Sequence, residues 1–321
     1  MLHTLTIIRQ LNADEFTSGE AIAKQLGVSR SAVSAALNRS AEFGIELERR
    51  HGVGYKLTQP IEWLNAESIK QALNSHSPFS LNLIDEIEST NRTLRQECAA
   101  AGSVLAAEWQ TAGRGRLGRH WVGSLGGSLL FSVVWRFNGG ISRLAGLSLA
   151  VGIALARALE KQGYQDIGLK WPNDLHCAKG KLAGILIELS GDTLGPVDAV
   201  IGIGLNLRLS QSERLNANHA ADLSDCSGPS PARNLLFARI LNELGELLPS
   251  FDQGGFAPLR SEWEYRHIWQ GEQARLISPD GQESSGKIIG IADDGALRIA
   301  GENGLQVVYA GDISLRKVAA A

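Results

Sequence analysis

Near the start of the chain, apolar residues recur at helical spacing. In SGEAIAKQL (18–26), Ala21, Ile22 and Leu26 share one face and Ser18 is placed to cap the helix. Gly27-Val28-Ser29 interrupts it, and Ser29 is placed to cap a second helix running through RSAVSAALNRSAEF. Two short helices joined by a three-residue turn with a glycine form the helix-turn-helix pattern, although any three-helix module needs a similar turn. The stretch ELERRHGVGYKL has strand-like flanks around two glycines and predicts a hairpin wing, with Arg49, Arg50, His51 and Lys56 near it. Pro60 and its polar neighbours then mark a linker near residues 58–66.

From about residue 67 to 270, strand-like and helix-like runs alternate. LNLIDEIE, SVLAAEWQ, SLLFSVVWRF, IGLKWPND, KLAGILIELS and DAVIGIGLNLRL read as strands. STNRTLRQECAAAG reads as a helix capped by Ser89 or Thr90 and ended by Gly102, and ISRLAGLSLAVGIALARALEKQG as a long apolar helix. This predicts a mixed α/β domain with helices packed on a largely antiparallel sheet. Beyond residue 270, four strand-like runs are separated by Pro-Asp-Gly, Asp-Asp-Gly and Glu-Asn-Gly, which predicts a small β barrel. The expected organisation is an α+β multidomain chain with units at 1–60, 61–270 and 271–321.

Composition narrows the function classes. Hydrophobic residues make up 44% and charged residues 20% of the 321, an ordinary globular balance, and the net charge of −3 argues against coating nucleic acid by bulk charge. Residues 1–60 carry seven Lys and Arg against six Asp and Glu, a net of +1, so one copy of the first unit should hold DNA weakly and a pair would be needed. The three cysteines are far apart in sequence and form neither a disulfide framework nor a zinc motif, which points to a cytoplasmic protein. No cleavable leader and no uninterrupted apolar run of spanning length stands out, so no membrane partner is expected.

Local charge changes the picture at QTAGRGRLGRHW, 110–121. Gly113, Gly115 and Gly118 satisfy G-x-G-x-x-G, but a glycine-rich, strand-like stretch comes next instead of a helix, and no acidic residue stands between Glu108 and Glu160 to hold a ribose. Residues 109–159 instead carry six arginines and no carboxylate. Glycines admit backbone N–H groups to an anion and arginines grip carboxylate or phosphate with paired donors, so a small-molecule anion site is expected over a solvated basic loop. In LKWPNDL, Lys170 suits phosphate and Asp174 suits Mg²⁺, while an Asn/Asp-stabilised turn explains the same residues equally well. Lys181 opens a strand with small residues Ala183 and Gly184, and a lone lysine there is also compatible with simple solvation. The strand glycines of IGIGLN (201–206) allow close approach of a ligand to Asn206, or serve packing.

Taken in order, the winged helix-turn-helix, EST-N at 88–91, Q-x-x-G-R-G-R-x-G-R-x-W at 110–121, K-W-P-N-D-L at 170–175, K-L-A-G-I-L-I-E at 181–188 and G-I-G-L-N at 202–206 resemble the bacterial biotin protein ligases that double as biotin-operon repressors. The resemblance covers essentially the whole chain. It implies a class II synthetase-like central domain, an SH3-like C-terminal unit and an ATP-dependent ligase that forms biotinoyl-5′-AMP, then biotinylates a lysine of the biotin carboxyl carrier protein of acetyl-CoA carboxylase. By that resemblance Ser89, Thr90, Asn91, Gln110, Arg114, Gly115, Arg116 and Lys181 meet biotin, with Lys181 and Arg116 acting in the chemistry. Arg119, Trp121, Lys170, Asn173 and Asn206 meet ATP or the adenylate, and Asp174 meets Mg²⁺. Ser29, Arg30, Ser31, Ser34, Asn38 and Arg39 face operator DNA, and biotin, through its adenylate, acts as corepressor by promoting a homodimer. Leu117, where repressor-type members often carry another arginine, and the polar stretch 210–223 depart from the pattern. A lipoate or other acyl ligase and a non-catalytic biotin sensor are the rival readings.

Overall fold

The structure, a computed structural model, describes residues 4–210, 213–214, 220–277, 283–301, 304–309 and 314–317. The first unit comprises α1 (Thr4–Ile8), α2 (Gly19–Leu26), α3 (Arg30–Asn38), β1 (Leu47–Arg50) and β2 (Gly54–Leu57). Ser18 and Ser29 cap α2 and α3, accepting from the N–H of Ala21 and Ala32. Gly27, at φ 66°, ends α2 in the left-handed conformation. Ile22, Val33 and Leu37 point inward against Leu5 and Ile8 of α1. The second helix is shorter than its pattern predicts: α3 stops at Asn38, and Ser40–Phe43 tighten into a 3-10 turn that delivers Phe43 to the core.

The central region adds α4 (Ala66–Ala72), β3 (Ser80–Ile87), α5 (Thr90–Gln96), β4 (Ser103–Gln110), β5 (Ser128–Phe137), α6 (Leu147–Gln162), β6 (Gly168–Lys170), β7 (Asp174–Cys177), β8 (Gly180–Gly191), β9 (Val197–Asn206), α7 (Arg233–Gly254) and α8 (Arg260–Arg266). Its seven strands run in the order β3-β4-β5-β9-β8-β7-β6, antiparallel except for β3 beside β4. Strand alternation divides the two faces. Ile201, Ile203 and Leu205 of β9 face the large core with α6 and α7, whereas Val200 joins Leu94 of α5 in a small cluster on the opposite face. Gly202 and Gly204 share Val200's parity, so the α5 face is left open beyond that cluster.

Helix α5 ends at Gln96, well short of Gly102. Ala99 N–H bonds the Leu94 carbonyl, with Cys98 at φ 47° where glycine usually stands, so the helix is closed locally before Gly102 is reached. The segment Ile141–Gln162 is long and apolar enough to cross a membrane, but most of it is buried inside the protein and α6 proper begins only after Gly146.

The last unit contains β10 (Gln273–Ile277), β11 (Glu283–Ile291), β12 (Leu297–Gly301), β13 (Gly304–Val308) and β14 (Ser314–Lys317) in the order β13-β12-β11-β10-β14, all antiparallel. Its inner residues Ala274, Leu276, Ile288 and Ile299 join the central core, and the Trp171 indole donates to the Gly295 carbonyl at 3.1 Å.

The segment expected as a linker is built into the fold. Leu64 N–H donates to Glu108 at 2.7 Å, and Glu62 accepts from the N–H groups of Arg233 and Asn234 at the start of α7. Glu108 also pairs with Arg233 at 2.5 Å, each 1% exposed, and its other oxygen lies 3.4 Å from Arg9, just past α1. Arg9 covers the Trp63 ring at 4.0 Å and reaches Asp85, while Phe43 meets Trp109 edge-on at 5.1 Å. The first unit is therefore seated on β3 and β4 by charge and aromatic contact together.

Candidate active site

The open face beside α5 holds a cavity floored by strand glycines. A Cβ on Gly202 would stand 2.2 Å from Asn91 Oδ1, and one on Gly204 would stand 2.4 Å from the Trp121 ring. Glycine is therefore required at both positions by what lies above them. At the N-terminus of α5, buried polar side chains form a chain: Thr90 Oγ1 and Ser132 Oγ are 2.6 Å apart, and Ser132 donates to Asn91 Oδ1 at 2.6 Å. Asn91 donates onward to Glu188 at 3.1 Å, and Thr90 N–H donates to Gln110 Oε1 at 2.7 Å. A constellation tied together this fully can hold a polar ring in one orientation.

Charged groups gather at the other end. Lys181 Nζ stands 2.6 Å from Asp174 Oδ1, and Lys170 sits over the Trp269 ring at 4.4 Å. Burial opposes a charged Asp174, but His176 and Lys181 outweigh it and hold the carboxyl below its usual range. Burial likewise pushes the His176 imidazole down, so it is neutral near pH 7. Arg116 donates to Asn173 Oδ1 at 3.1 Å, and Asn173 in turn donates to the Ile185 carbonyl at 2.8 Å.

Residues 113–121 fold as a small hairpin over this space. Gly115 N–H bonds the Arg119 carbonyl at 2.7 Å, and Trp121 N–H bonds that of Gly113 at 2.9 Å. A Cβ on Gly113 would come within 2.4 Å of the Trp121 carbonyl oxygen, which explains that glycine. Leu117 occupies the exposed tip at φ 57°. The hairpin leads into β5, as expected of a loop that is no dinucleotide fingerprint.

Ser89, Thr90, Asn91, Gln110, Arg114, Gly115, Arg116, Arg119, Trp121, Lys170, Asn173, Asp174 and Lys181 all line this cavity, together with Leu117, His120 and Phe131. Asn206 does not: its amide is buried and donates to the Ala221 carbonyl at 3.1 Å. Ser132 and Glu188 were missed by sequence reasoning. Ser132 reads as an ordinary strand residue, and only its strand parity, shared with Val134 on the α5 face, could have singled it out. Glu188 lies in a matched motif but reveals its partners, Asn91, Arg95 and Arg114, only in three dimensions. Residues 211–212 and 215–219 of the polar stretch lie outside the described residues. In the first unit Ser29, Arg30, Ser31, Asn38 and Arg39 are exposed and Ser34 is half-buried. Arg39 is clamped to Glu42, and Asn38 accepts from Arg49 of the wing.

Comparison with known proteins gives the same assembly of parts. The biotin/lipoate A/B protein ligase family matches residues 83–206, a helix-turn-helix domain matches 3–56, and the biotin protein ligase C-terminal domain matches 271–316. The bifunctional ligase/repressor BirA of Escherichia coli (strain K12) is 37% identical over 314 residues, 97% of each chain. The chain belongs to the biotin protein ligase family. The biotin–[acetyl-CoA-carboxylase] ligase of Mycobacterium tuberculosis is 33% identical over 241 residues, covering 73% of this chain and 88% of its own. A biotin protein ligase from Aquifex aeolicus, solved with biotin and ATP, aligns with a TM-score of 0.65 at 28% identity, over 74% of this chain and 99% of its own. As a biotin protein ligase carrying a helix-turn-helix unit, the chain is matched over 97% of its length by the bifunctional relative and over about three quarters of it by the Aquifex enzyme.

Proposed function

We propose that the protein joins biotin to ATP, releases pyrophosphate, and passes biotin from biotinoyl-5′-AMP to a lysine of the biotin carboxyl carrier protein. One observation carries this reading: Thr90 and Asn91, bonded to each other through buried Ser132, line a single cavity with Lys181, Arg116 and Lys170. The first group suits the polar ring of biotin, the second its carboxylate and the phosphates of ATP. Biotin's carboxylate and the α-phosphate repel each other, and the cations lower that repulsion where they must meet. The carboxylate oxygen forms the new bond to phosphorus as the bond to pyrophosphate breaks. The carrier lysine, as free amine, then attacks the acyl carbon and AMP leaves. Arg114, Gly115, Arg119 and Trp121 belong to the hairpin that shields this mixed anhydride from water. Asp174, the one carboxylate among the residues lining the cavity, is the side chain that would meet a magnesium ion carried in with ATP, and such an ion would offset phosphate charge there.

The helix-turn-helix unit gives the second activity, repression at an operator of biotin genes. Ser29 to Asn38 would present α3 to the major groove, with Arg30 and Ser31 exposed, and two copies are needed because the unit carries little net charge. Beyond Leu186 the edge of β8 has no neighbouring strand other than β9 among the described residues, and such an edge can pair with a second copy when ligand is bound. A cytoplasmic setting suits three free thiols. Incubation with labelled biotin, MgATP and a carrier domain tests the enzyme reading, and no label on the carrier lysine would overturn it. Gel-shift titration of the organism's own biotin-gene promoter, with and without biotin and ATP, tests the repressor reading.

A further inference from the structure

Lys170 is one of the cations lining the cavity, and an aromatic contact that restrains it comes from far away in sequence. Lys181 already occupies Asp174 Oδ1 at 2.6 Å, whereas the Lys170 ammonium sits over the face of Trp269, 4.4 Å from the ring centroid. Trp269 is delivered there by backbone pairing. The segment after α8 runs along the outer edge of β6, with Leu169 bridged to His267 and the Ile268 N–H bonded to the Leu169 carbonyl at 3.0 Å. Gly168 is needed for that fit, because a Cβ there would stand 2.0 Å from Ile268 Cγ2. The Trp269 carbonyl then accepts from Glu272 N–H just before β10. A lysine is a flexible point charge, and a fixed aromatic face restricts it without neutralising it.

We propose that Trp269 is a positioning residue for the ligase reaction: its indole holds the Lys170 ammonium at the cavity, aimed at the phosphates of ATP. The proposal rests on reading Lys170 as a phosphate contact, and the test separates the two. Steady-state KM for MgATP and for biotin, and kcat, are measured for the full chain with Trp269→Met, Trp269→Phe, Lys170→Met and the Lys170→Met/Trp269→Met pair. Trp269→Met should raise KM for MgATP by about 2- to 30-fold, the range a cation–π contact supplies, with KM for biotin unchanged. Trp269→Phe, which keeps an aromatic face, should restore most of it, and the second change should add nothing once Lys170 is methionine. A KM for MgATP within a factor of 1.5 of the parent (roughly, below the cation–π range) in Trp269→Met, or equal losses with and without Lys170, overturns the positioning role. If Lys170→Met itself leaves KM for MgATP unchanged, the phosphate reading fails and the proposal falls with it.

Discussion

Replacing Glu108 by alanine should be among the most damaging single changes in this protein. Its carboxylate is 1% exposed and meets three groups: Arg233 at 2.5 Å, Leu64 N–H at 2.7 Å and Arg9 at 3.4 Å. Removing one partner of a buried ion pair costs about 3–5 kcal/mol because the other charge stays buried. Arg233 keeps bonds to the carbonyls of Ser128 and Glu62, which pulls this toward the lower end, while the orphaned Leu64 N–H adds about 1 kcal/mol or more. The expected loss is therefore about 4 kcal/mol, a large share of a typical folding free energy. Urea unfolding followed by circular dichroism measures it. Glu108→Gln keeps the shape but only one accepting oxygen, so it should lose less than Glu108→Ala, about 2–3 kcal/mol. A Glu108→Leu/Arg233→Met pair should recover at least half the loss, since no charge is left stranded. A Glu108→Ala midpoint equivalent to less than about 0.5 kcal/mol of loss, or strictly additive effects in the double variant, would refute the reasoning.

Lys181→Ala should nearly abolish biotin-dependent pyrophosphate release, and a near-parental rate would remove Lys181 from the chemistry. Arg116→Ser should weaken biotin binding and let the adenylate escape, read by calorimetry and by adenylate retention on gel filtration. Gly202→Ala must push Asn91 aside and break its bond from Ser132, so biotin affinity should fall about tenfold, near 1.4 kcal/mol, with little change in Tm. His267 is 5% exposed and burial drops its pKa to about 4. The unfolded chain, with an ordinary imidazole, binds the extra proton between pH 4 and 6.5. The neutral histidine therefore supports the fold fully above about pH 6.5, and stability falls as pH drops toward 4, by on the order of 3 kcal/mol. In His267→Phe, urea midpoints across that window should flatten; an unchanged slope would assign it to other groups.

Much of the local structure could be read from the chain because its causes are local. Ser18, Ser29 and Ser89 cap helices through bonds three residues away, and the strand-like stretch after GRGRLGRHW was enough to separate its glycines from a dinucleotide fingerprint. The strand glycines of IGIGLN were legible as a place of close approach, although the sequence left unsaid that Gly202 and Gly204 make room for Asn91 and Trp121. Where short-range signals competed, reading along the chain failed: Cys98 took the left-handed position that Gly102 was expected to hold.

By itself the sequence determined many of the helices and strands, the chemistry of each motif and the family, since period, caps and motif spacing are properties of neighbouring residues. Only the tertiary structure decided which of those residues meet. It brought Thr90 to Ser132, Lys170 to Trp269 and Glu108 to both Arg9 and Arg233, and it withheld Asn206 from the cavity. Such contacts join residues tens to more than a hundred positions apart. They depend on strand order and on which face each strand presents, and no local pattern encodes either.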